Sequence, residues 1–182
     1  MEPWTVLDRS TVFSGGPIRE VVKERIQLPD GRVVADYYRV RMCDFALVFA
    51  STDDGRVLMF RHYRHGPQKI CLGFPGGAID PGESPEAAIR RELLEETGYV
   101  SSSWQSLGSY VTNANQGCNT AHLFRARGCR REAEPRSADL EEAELLLIEP
   151  GELLAPHRFA EIALASHLAL LLLATHPELG FR

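Results

Sequence analysis

Short apolar runs separated by turn residues dominate the amino-terminal part of the chain and predict β-strands. Pro29-Asp30-Gly31 separates two of these runs, and Asp54-Gly55 separates two others. Proline presets the backbone angle of a turn and glycine accepts a positive φ, so both sites favour hairpins. The predicted strands cover residues 5–13, 21–28, 32–40, 45–50 and 57–63. The chain therefore begins with a predicted series of β-hairpins.

A helix is predicted from Ser84 to Gly98, after a segment rich in glycine and proline. Ser84 can cap the helix, Pro85 suits its first position and Gly98 suits its end. Apolar residues fall on two sides of this helix. We therefore expect a helix held between two layers.

Later in the chain the pattern predicts strands at residues 107–112, 120–125 and 143–148, a polar loop at 130–141 and a closing helix at 159–174. Strands on both sides of a sandwiched helix predict an α/β fold, an α/β/α sandwich with a mixed sheet. We expect residues 1–42 to form an added β segment and residues 43–182 to form the main domain.

Composition and charge exclude several classes of protein. The net charge of −5 leaves no basic face for duplex nucleic acid. The four cysteines are widely spaced without a CxxC pair, so we expect reduced thiols in the cytoplasm. The start MEPWTVLDRS lacks the order of a secretory signal. The most apolar stretch, residues 162–174, is shorter than the ~20 residues that a bilayer requires. We therefore expect no nucleic-acid or membrane partner.

Three carboxylates lie close together on the predicted helix. Glu92, Glu95 and Glu96 fall within an arc of roughly 100°. Like charges at this spacing repel, so the pattern favours a positive partner, and a divalent cation is the first candidate. The sequence has no pairing typical of a covalent nucleophile, which favours attack by water.

The segment GAIDPGESPEAAIRRELLEETGY, from Gly77 to Tyr99, resembles the Nudix box. Gly77, Glu83, Arg91 and the glutamates after it match the spacing of that motif. Tyr99 is a mild departure, because an aliphatic residue is commoner there. The resemblance implies a Nudix fold and an enzyme that cleaves a nucleoside diphosphate linked to another moiety, with Mg²⁺ or Mn²⁺ as cofactor.

The same resemblance implies a role for each residue of the motif. Arg91 is implied to hold Glu95 or Glu83 by a charge-assisted hydrogen bond rather than to contact substrate. Glu95 is implied to be either a further metal ligand or a group that positions water. The implied metal ligands are the backbone carbonyl of Gly76 and the carboxylates of Glu92, Glu95 and Glu96.

Segments outside the box are similar to those of ADP-ribose pyrophosphatases, namely Arg61-His62-Tyr63-Arg64 and Pro75-Gly76-Gly77. This similarity implies ADP-ribose as substrate and a homodimer built by the amino-terminal segment. The residues then expected to bind substrate are Arg61, Arg64, Gly77, Tyr38 and Asn115. A proline that this subgroup often carries after the box is missing at residues 113–117, which leaves other substrates open.

Glu141 and Glu142 follow the polar loop, where this subgroup often supplies a glutamate that activates water. A carboxylate on such a loop suits general-base catalysis. Arg61 and Arg64 could instead form a structural ion pair. Two other functions also stay open. One is a Nudix hydrolase of a UDP- or GDP-sugar, a dinucleotide or an oxidised nucleoside triphosphate, and the other is a sensor that binds a nucleotide sugar without cleaving it.

Overall fold

The computed structural model describes residues 1–136 and 142–179. The chain divides into two compact units. The first comprises Met1–Asp44 and Tyr110–Thr120, and the second comprises Phe45–Ser109 and Ala121–Arg182. None of the described helices is long and apolar enough to span a bilayer.

The first unit is built on an antiparallel sheet. Its strands are β1 (Thr5–Gly15), β2 (Ile18–Gln27) and β3 (Val33–Met42), in that order. The predicted turn before β3 is present, and Gly31 adopts a φ of +85° there. Central β2 buries Glu24, whose carboxylate accepts a hydrogen bond of 2.8 Å from Arg9. The predicted strands and their hairpin are therefore confirmed, with bounds that differ by up to three residues.

In the described part of the chain, a mixed sheet of eight strands lies mainly in the second unit. They are β4 (Phe45–Thr52), β5 (Val57–Arg64), β6 (Lys69–Gly73), β7 (Gly76–Ala78), β8 (Tyr99–Val100), β9 (Ser103–Val111), β10 (Thr120–Arg131) and β11 (Ala143–Ile148). Strand β4 is parallel to β10 and antiparallel to β5 and β7. Strand β5 lies between β11 and β6.

Within residues 1–136 and 142–179, the α-helices that accompany this sheet are α1 (Pro85–Thr97), α2 (Pro150–Leu153), α3 (Pro156–Glu161) and α4 (Ala165–Thr175). The prediction of one continuous helix over residues 159–174 was wrong. Ile162 has extended backbone angles, φ −81° and ψ 108°, and forms a parallel bridge with Leu72 at the edge of β6. This tertiary pairing separates α3 from α4.

Each face of the main sheet carries a helix. Val48 of β4 packs in one core with Ile89 of α1. The next residue of the same strand, Phe49, packs against Phe74. The ring of Phe74 in turn stacks on His167 of α4. Side chains alternate between the two faces along a strand, so α1 and α4 cover opposite faces. The predicted α/β/α arrangement with a mixed sheet is therefore confirmed.

Helix α1 has one buried side rather than the two that were predicted. Ile89 and Leu93 are fully buried, whereas Ala87 is exposed and Leu94 is 38% exposed. The predicted polar loop at 130–141 begins later than expected, because Arg130 and Arg131 still belong to β10. Part of that loop, residues 137–141, lies outside the described residues.

Candidate functional site

Local sequence signals set both ends of α1, and the structure places each as predicted. The Ser84 hydroxyl accepts a 3.1 Å hydrogen bond from the Ala87 amide. Gly98 ends the helix with a φ of +75°, and its amide donates to the Leu94 carbonyl at 2.8 Å. These caps fix the register in which α1 presents its glutamates.

Gly76 and Gly77 face different constraints. Gly76 has a φ of +152°, and a Cβ atom there would collide with the backbone of Ala46 and Leu47. At Gly77 a Cβ atom would lie only 2.5 Å from the carboxyl carbon of Glu92. The absence of a side chain at Gly77 therefore makes room for that carboxylate.

Arg91 is bound most strongly to Glu83, the glutamate of the turn before α1. Its Nε and one terminal nitrogen donate to the two Glu83 oxygens at 3.1 and 3.0 Å. This paired geometry is the strong form of an arginine–carboxylate contact. Hydrogen bonding to Arg91 lowers the pKa of Glu83, and the same bond raises the pKa of Arg91. Both groups therefore stay charged at neutral pH.

The second terminal nitrogen of Arg91 reaches the glutamate cluster. It donates to Glu92 at 2.7 Å and to Glu95 at 3.2 Å. Glu96 points to the loop instead, where one carboxylate oxygen accepts a 2.9 Å hydrogen bond from the Gly76 amide. The positive charge that the carboxylate cluster requires is thus partly supplied by Arg91 itself. Charge repulsion alone consequently does not demand a metal ion.

In the structure Glu92 lies against Gly77, Glu96 accepts from the Gly76 amide and Glu95 accepts from Arg91. Across residues 1–136 and 142–179, no three His, Cys, Asp or Glu side chains are grouped closely enough to hold a metal ion as they stand. The contacts with Arg91 and with the Gly76 amide account for this arrangement. Metal binding at these carboxylates stays a prediction.

Residues after β10 pack onto the end of α1, which the sequence did not indicate. The amides of Glu132 and Ala133 donate to the Gly98 carbonyl at 2.8 and 3.1 Å, and the Arg136 amide donates to the Glu95 carbonyl at 2.7 Å. Carbonyls at a helix end need such external donors. The segment that leads toward Glu142 thus starts at the helix that carries the glutamates.

An open cleft of about 610 Å³ lies on the β5 and β11 strands. Arg61 and Glu142 both line it, together with His62, Tyr63, Ile70, Ala143 and Glu144. Arg61 donates a 2.8 Å hydrogen bond to Glu161, and its Nε is buried without a partner in the described part of the chain. Arg61 therefore forms an ion pair and also contributes to the cleft.

Arg64 does not line this cleft and instead bonds to a buried histidine. Its Nε donates to His62 Nε2 at 3.1 Å. Glu141, the other predicted water-activating residue, lies outside the described residues. Arg61, predicted to bind substrate, and Glu142, predicted to activate water, thus line the same cleft.

Tyr38 and Asn115, two of the residues predicted to bind substrate, belong to the first unit. The ring of Tyr38 is exposed, whereas its neighbour Tyr37 packs edge-on against Trp4 at 5.8 Å. The Tyr37 hydroxyl donates to the backbone carbonyl of Asn115 at 2.6 Å. The Asn113 side chain accepts from the Asn115 amide at 3.1 Å. Tyr38 is therefore the tyrosine of this pair with the exposed ring.

Comparison with known proteins decides the family. The NUDIX domain family matches residues 44–168, more than half of the chain. This chain belongs to the NUDIX family. The Nudix hydrolase predicted from the box is thereby confirmed.

Relatives of this Nudix hydrolase carry different names. The chain is 28% identical to the ADP-ribose pyrophosphatase of Bacillus subtilis (strain 168), over 74% of this chain and 71% of that protein. It is 29% identical to the ADP-ribose pyrophosphatase of Mycobacterium tuberculosis (strain ATCC 25618 / H37Rv), over 76% of this chain and 66% of that protein. It is also 29% identical to the methanol dehydrogenase activator of Bacillus methanolicus, over 72% of this chain and 70% of that protein.

A solved structure confirms the fold of this Nudix hydrolase. The crystal structure of an ADP compounds hydrolase superposes with a TM-score of 0.78, covering 96% of this chain and 94% of that chain at 23% identity. Identity at this level supports the fold and leaves the substrate open.

The sequence did not reveal the role of one buried polar residue near the loop at Gly76. His167 lies on α4 and accepts a 2.9 Å hydrogen bond from the Phe74 amide, two residues before Gly76. The signal in the sequence was a single histidine within an apolar stretch. Such a histidine needs a partner when buried, but the partner could not be identified without the fold.

Proposed function

We propose that this Nudix hydrolase cleaves the pyrophosphate bond of a nucleoside diphosphate linked to a sugar, with ADP-ribose as the leading substrate. The products would be AMP and a sugar phosphate. The carboxylate cluster of α1 beside the Gly76-Gly77 loop carries this proposal. The names of two relatives, both ADP-ribose pyrophosphatases, support the choice of substrate.

We propose Mg²⁺, or alternatively Mn²⁺, as the cofactor. Carboxylate oxygens are hard ligands of the kind that Mg²⁺ prefers. The cradle over Gly77, which a Cβ atom would fill, leaves space for the Glu92 carboxylate at the loop. The donor set therefore fits a divalent cation. The proposed ligands are Glu92, Glu95, Glu96 and the backbone carbonyl of Gly76. When bound, the ion would neutralise pyrophosphate charge and lower the pKa of a water molecule.

The remaining roles belong to the chain's own side chains. Arg91 holds Glu92 and Glu95 in position through hydrogen bonds of 2.7 and 3.2 Å, and Glu83 in turn holds Arg91. We propose that Glu142 or Glu141 accepts the proton of the attacking water, and that Glu95 positions this water if it is not a metal ligand. Glu142 is exposed and lines the cleft, as a general base that meets substrate must.

We propose that the cleft on β5 and β11 receives part of the substrate. Arg61 offers a buried Nε–H that has no partner among the described residues, and such a group is normally satisfied by a ligand or water. Chain reach supports a short distance from this cleft to α1. The six Cα–Cα steps from Arg136 to Glu142 span at most about 20 Å, and the Arg136 amide donates to the Glu95 carbonyl. The further proposed substrate contacts are Arg64, Gly77, Tyr38 and Asn115.

We propose a homodimer that is built through the amino-terminal segment, residues 1–42, with residues 43–182 as the catalytic domain. Every residue of β1 is exposed, including Phe13 at 52%. Trp4, just before this strand, is 54% exposed. Exposed apolar side chains on one strand are typical of a surface that another chain covers. The four free thiols support a cytoplasmic location.

A panel of substrates tests the proposed function. ADP-ribose, UDP- and GDP-sugars, a dinucleotide and an oxidised nucleoside triphosphate are compared by kcat/KM, each with Mg²⁺, with Mn²⁺ and with EDTA. We expect ADP-ribose to rank first and AMP to appear only with metal. A higher kcat/KM for another compound would replace ADP-ribose by that substrate. Binding of a nucleotide sugar without turnover of any compound would indicate a sensor.

A further inference from the structure

His167 on α4 is a buried side chain with a specific backbone partner. The imidazole is 4% exposed, and its Nδ1 accepts the hydrogen bond from the Phe74 amide. The Phe74 ring stacks on the imidazole with centroids 6.1 Å apart and an angle of 13° between planes. Because Nδ1 accepts a hydrogen bond, it carries no proton itself, and the proton of the neutral ring lies on Nε2. The imidazole is therefore a neutral acceptor of fixed orientation.

The space around this contact is filled. A Cβ atom on Gly73 would lie 3.0 Å from His62 Nε2 and 3.2 Å from His167 Cε1. Arg64 donates to the same His62 nitrogen at 3.1 Å. Burial, and then the nearby Arg64 and His62, lower the pKa of His167 to about 3. Neutral His167 is thus the form present at physiological pH.

The segment after Phe74 leads directly to the carboxylates. The Pro75 carbonyl accepts a 3.0 Å hydrogen bond from the Val48 amide. Gly76 then pairs with Leu47, and its amide donates to Glu96 at 2.9 Å. Successive residues are consequently fixed by α4, by β4 and by α1.

We propose that His167 is a positioning residue for the Nudix carboxylate site. By holding the Phe74 amide it sets the path of the loop, and with it the place where the Gly76 amide meets Glu96. The imidazole acts through the backbone and does not contact substrate. This inference rests on the proposed function at one point, which is that Glu96 belongs to the proposed catalytic site.

Two substitutions separate positioning from packing. His167→Asn can place an amide oxygen close to the position of Nδ1, whereas His167→Leu fills similar volume without an acceptor. Leu170→Ala is the matched control, because Leu170 is fully buried on the same helix, whereas the Phe74 amide donates to His167. All three variants are made in the full chain.

Amide hydrogen exchange of Phe74 and Gly76 is the first readout, since it needs neither substrate nor metal. We expect exchange at both amides to rise at least about tenfold in His167→Leu and to be largely restored in His167→Asn. With the best substrate of the panel, kcat should fall about tenfold in His167→Leu with KM little changed, because small displacements of catalytic groups are costly.

The Leu170→Ala control should lower the melting temperature without a selective change at Gly76. Unchanged Gly76 exchange in His167→Leu, or an equal rise in Leu170→Ala, would overturn the inference. The hydrogen-exchange results can be obtained even if no compound of the panel is hydrolysed. Failure of the proposed function is thus distinguished from failure of the positioning role.

Discussion

Replacing Gly77 by alanine tests whether the Glu92 carboxylate must lie against the loop. The new Cβ atom would lie 2.5 Å from the Glu92 carboxyl carbon. Carbon atoms in good contact are separated by about 3.5 Å, so the carboxylate must withdraw by about 1 Å. The obstacle is the end of a flexible side chain, and the fold can adapt. We therefore expect a defect in activity rather than in stability.

A misplacement of about 1 Å at a catalytic group can reduce the rate by about a hundredfold. We expect kcat/KM of Gly77→Ala to fall by about tenfold to a hundredfold, while its melting temperature stays within about 3 °C of the parent. Gly66→Ala is the control, because nothing lies within 4 Å of the added Cβ atom there. Gly76→Ala is the contrasting variant, since its Cβ atom meets backbone, and it should lose the fold.

The assay combines steady-state kinetics on the panel's best substrate with thermal unfolding and Mg²⁺ titration of activity. In Gly77→Ala the Mg²⁺ concentration for half-maximal activity should rise, because Glu92 is a proposed ligand. Parent-like kinetics and Mg²⁺ response in Gly77→Ala would refute the reasoning. Unfolding of Gly77→Ala would also contradict it, since the structure indicates that Glu92 can move.

Two further predictions concern the ionisable side chains Arg91 and His167 of the second unit. Arg91→Lys should lower kcat/KM roughly tenfold, because the paired contact with Glu83 is lost and a charge-assisted hydrogen bond is worth about 1.5 kcal/mol or more. Equal kinetics of the two forms would contradict this role. Burial, Arg64 and His62 lower the pKa of His167 to about 3 in the folded protein. Between that pH and the ordinary pKa of histidine, the imidazole is therefore protonated only in the unfolded chain. Lowering the pH from about 7.5 to about 5 should therefore reduce the free energy of unfolding of the parent by ~2 kcal/mol more than that of His167→Asn, as measured by urea unfolding. An equal loss of unfolding free energy in the two proteins would contradict this.

The elements that the sequence predicted well carry their own local signals. The ends of α1 follow from Ser84, Pro85 and Gly98, and the structure shows each in its expected capping role. The turn at Gly31 likewise needs only the positive φ that glycine accepts. Both features depend on residues within a few positions along the chain, which is why the sequence alone could predict them.

The break between α3 and α4 had no such signal. Residues 159–174 contain neither glycine nor proline, and Ile162 leaves the helix because its backbone pairs with Leu72. The second apolar side that the sequence predicted for α1 is not buried, and Leu94 is exposed there. Both errors arose because long-range packing overrides local propensity.

The site was predicted in part for the same reason. Helical spacing was enough to place Glu92, Glu95 and Glu96 on one side of α1. The partners of these residues come from other elements, such as the Gly76 amide on Glu96. His167 could not be connected with this site, because its contact with Phe74 joins residues far apart in the chain.

The most direct test of a carboxylate-dependent pyrophosphatase compares two substitutions on one helix. Glu96→Gln removes the negative charge of the carboxylate that accepts from the Gly76 amide. Glu86→Gln removes the negative charge of an exposed carboxylate in the first turn of α1, where Glu86 pairs with Arg90. Release of AMP from ADP-ribose with Mg²⁺ should fall at least about a hundredfold in Glu96→Gln and stay near the parent in Glu86→Gln. Parent-like AMP release by folded Glu96→Gln would contradict the account.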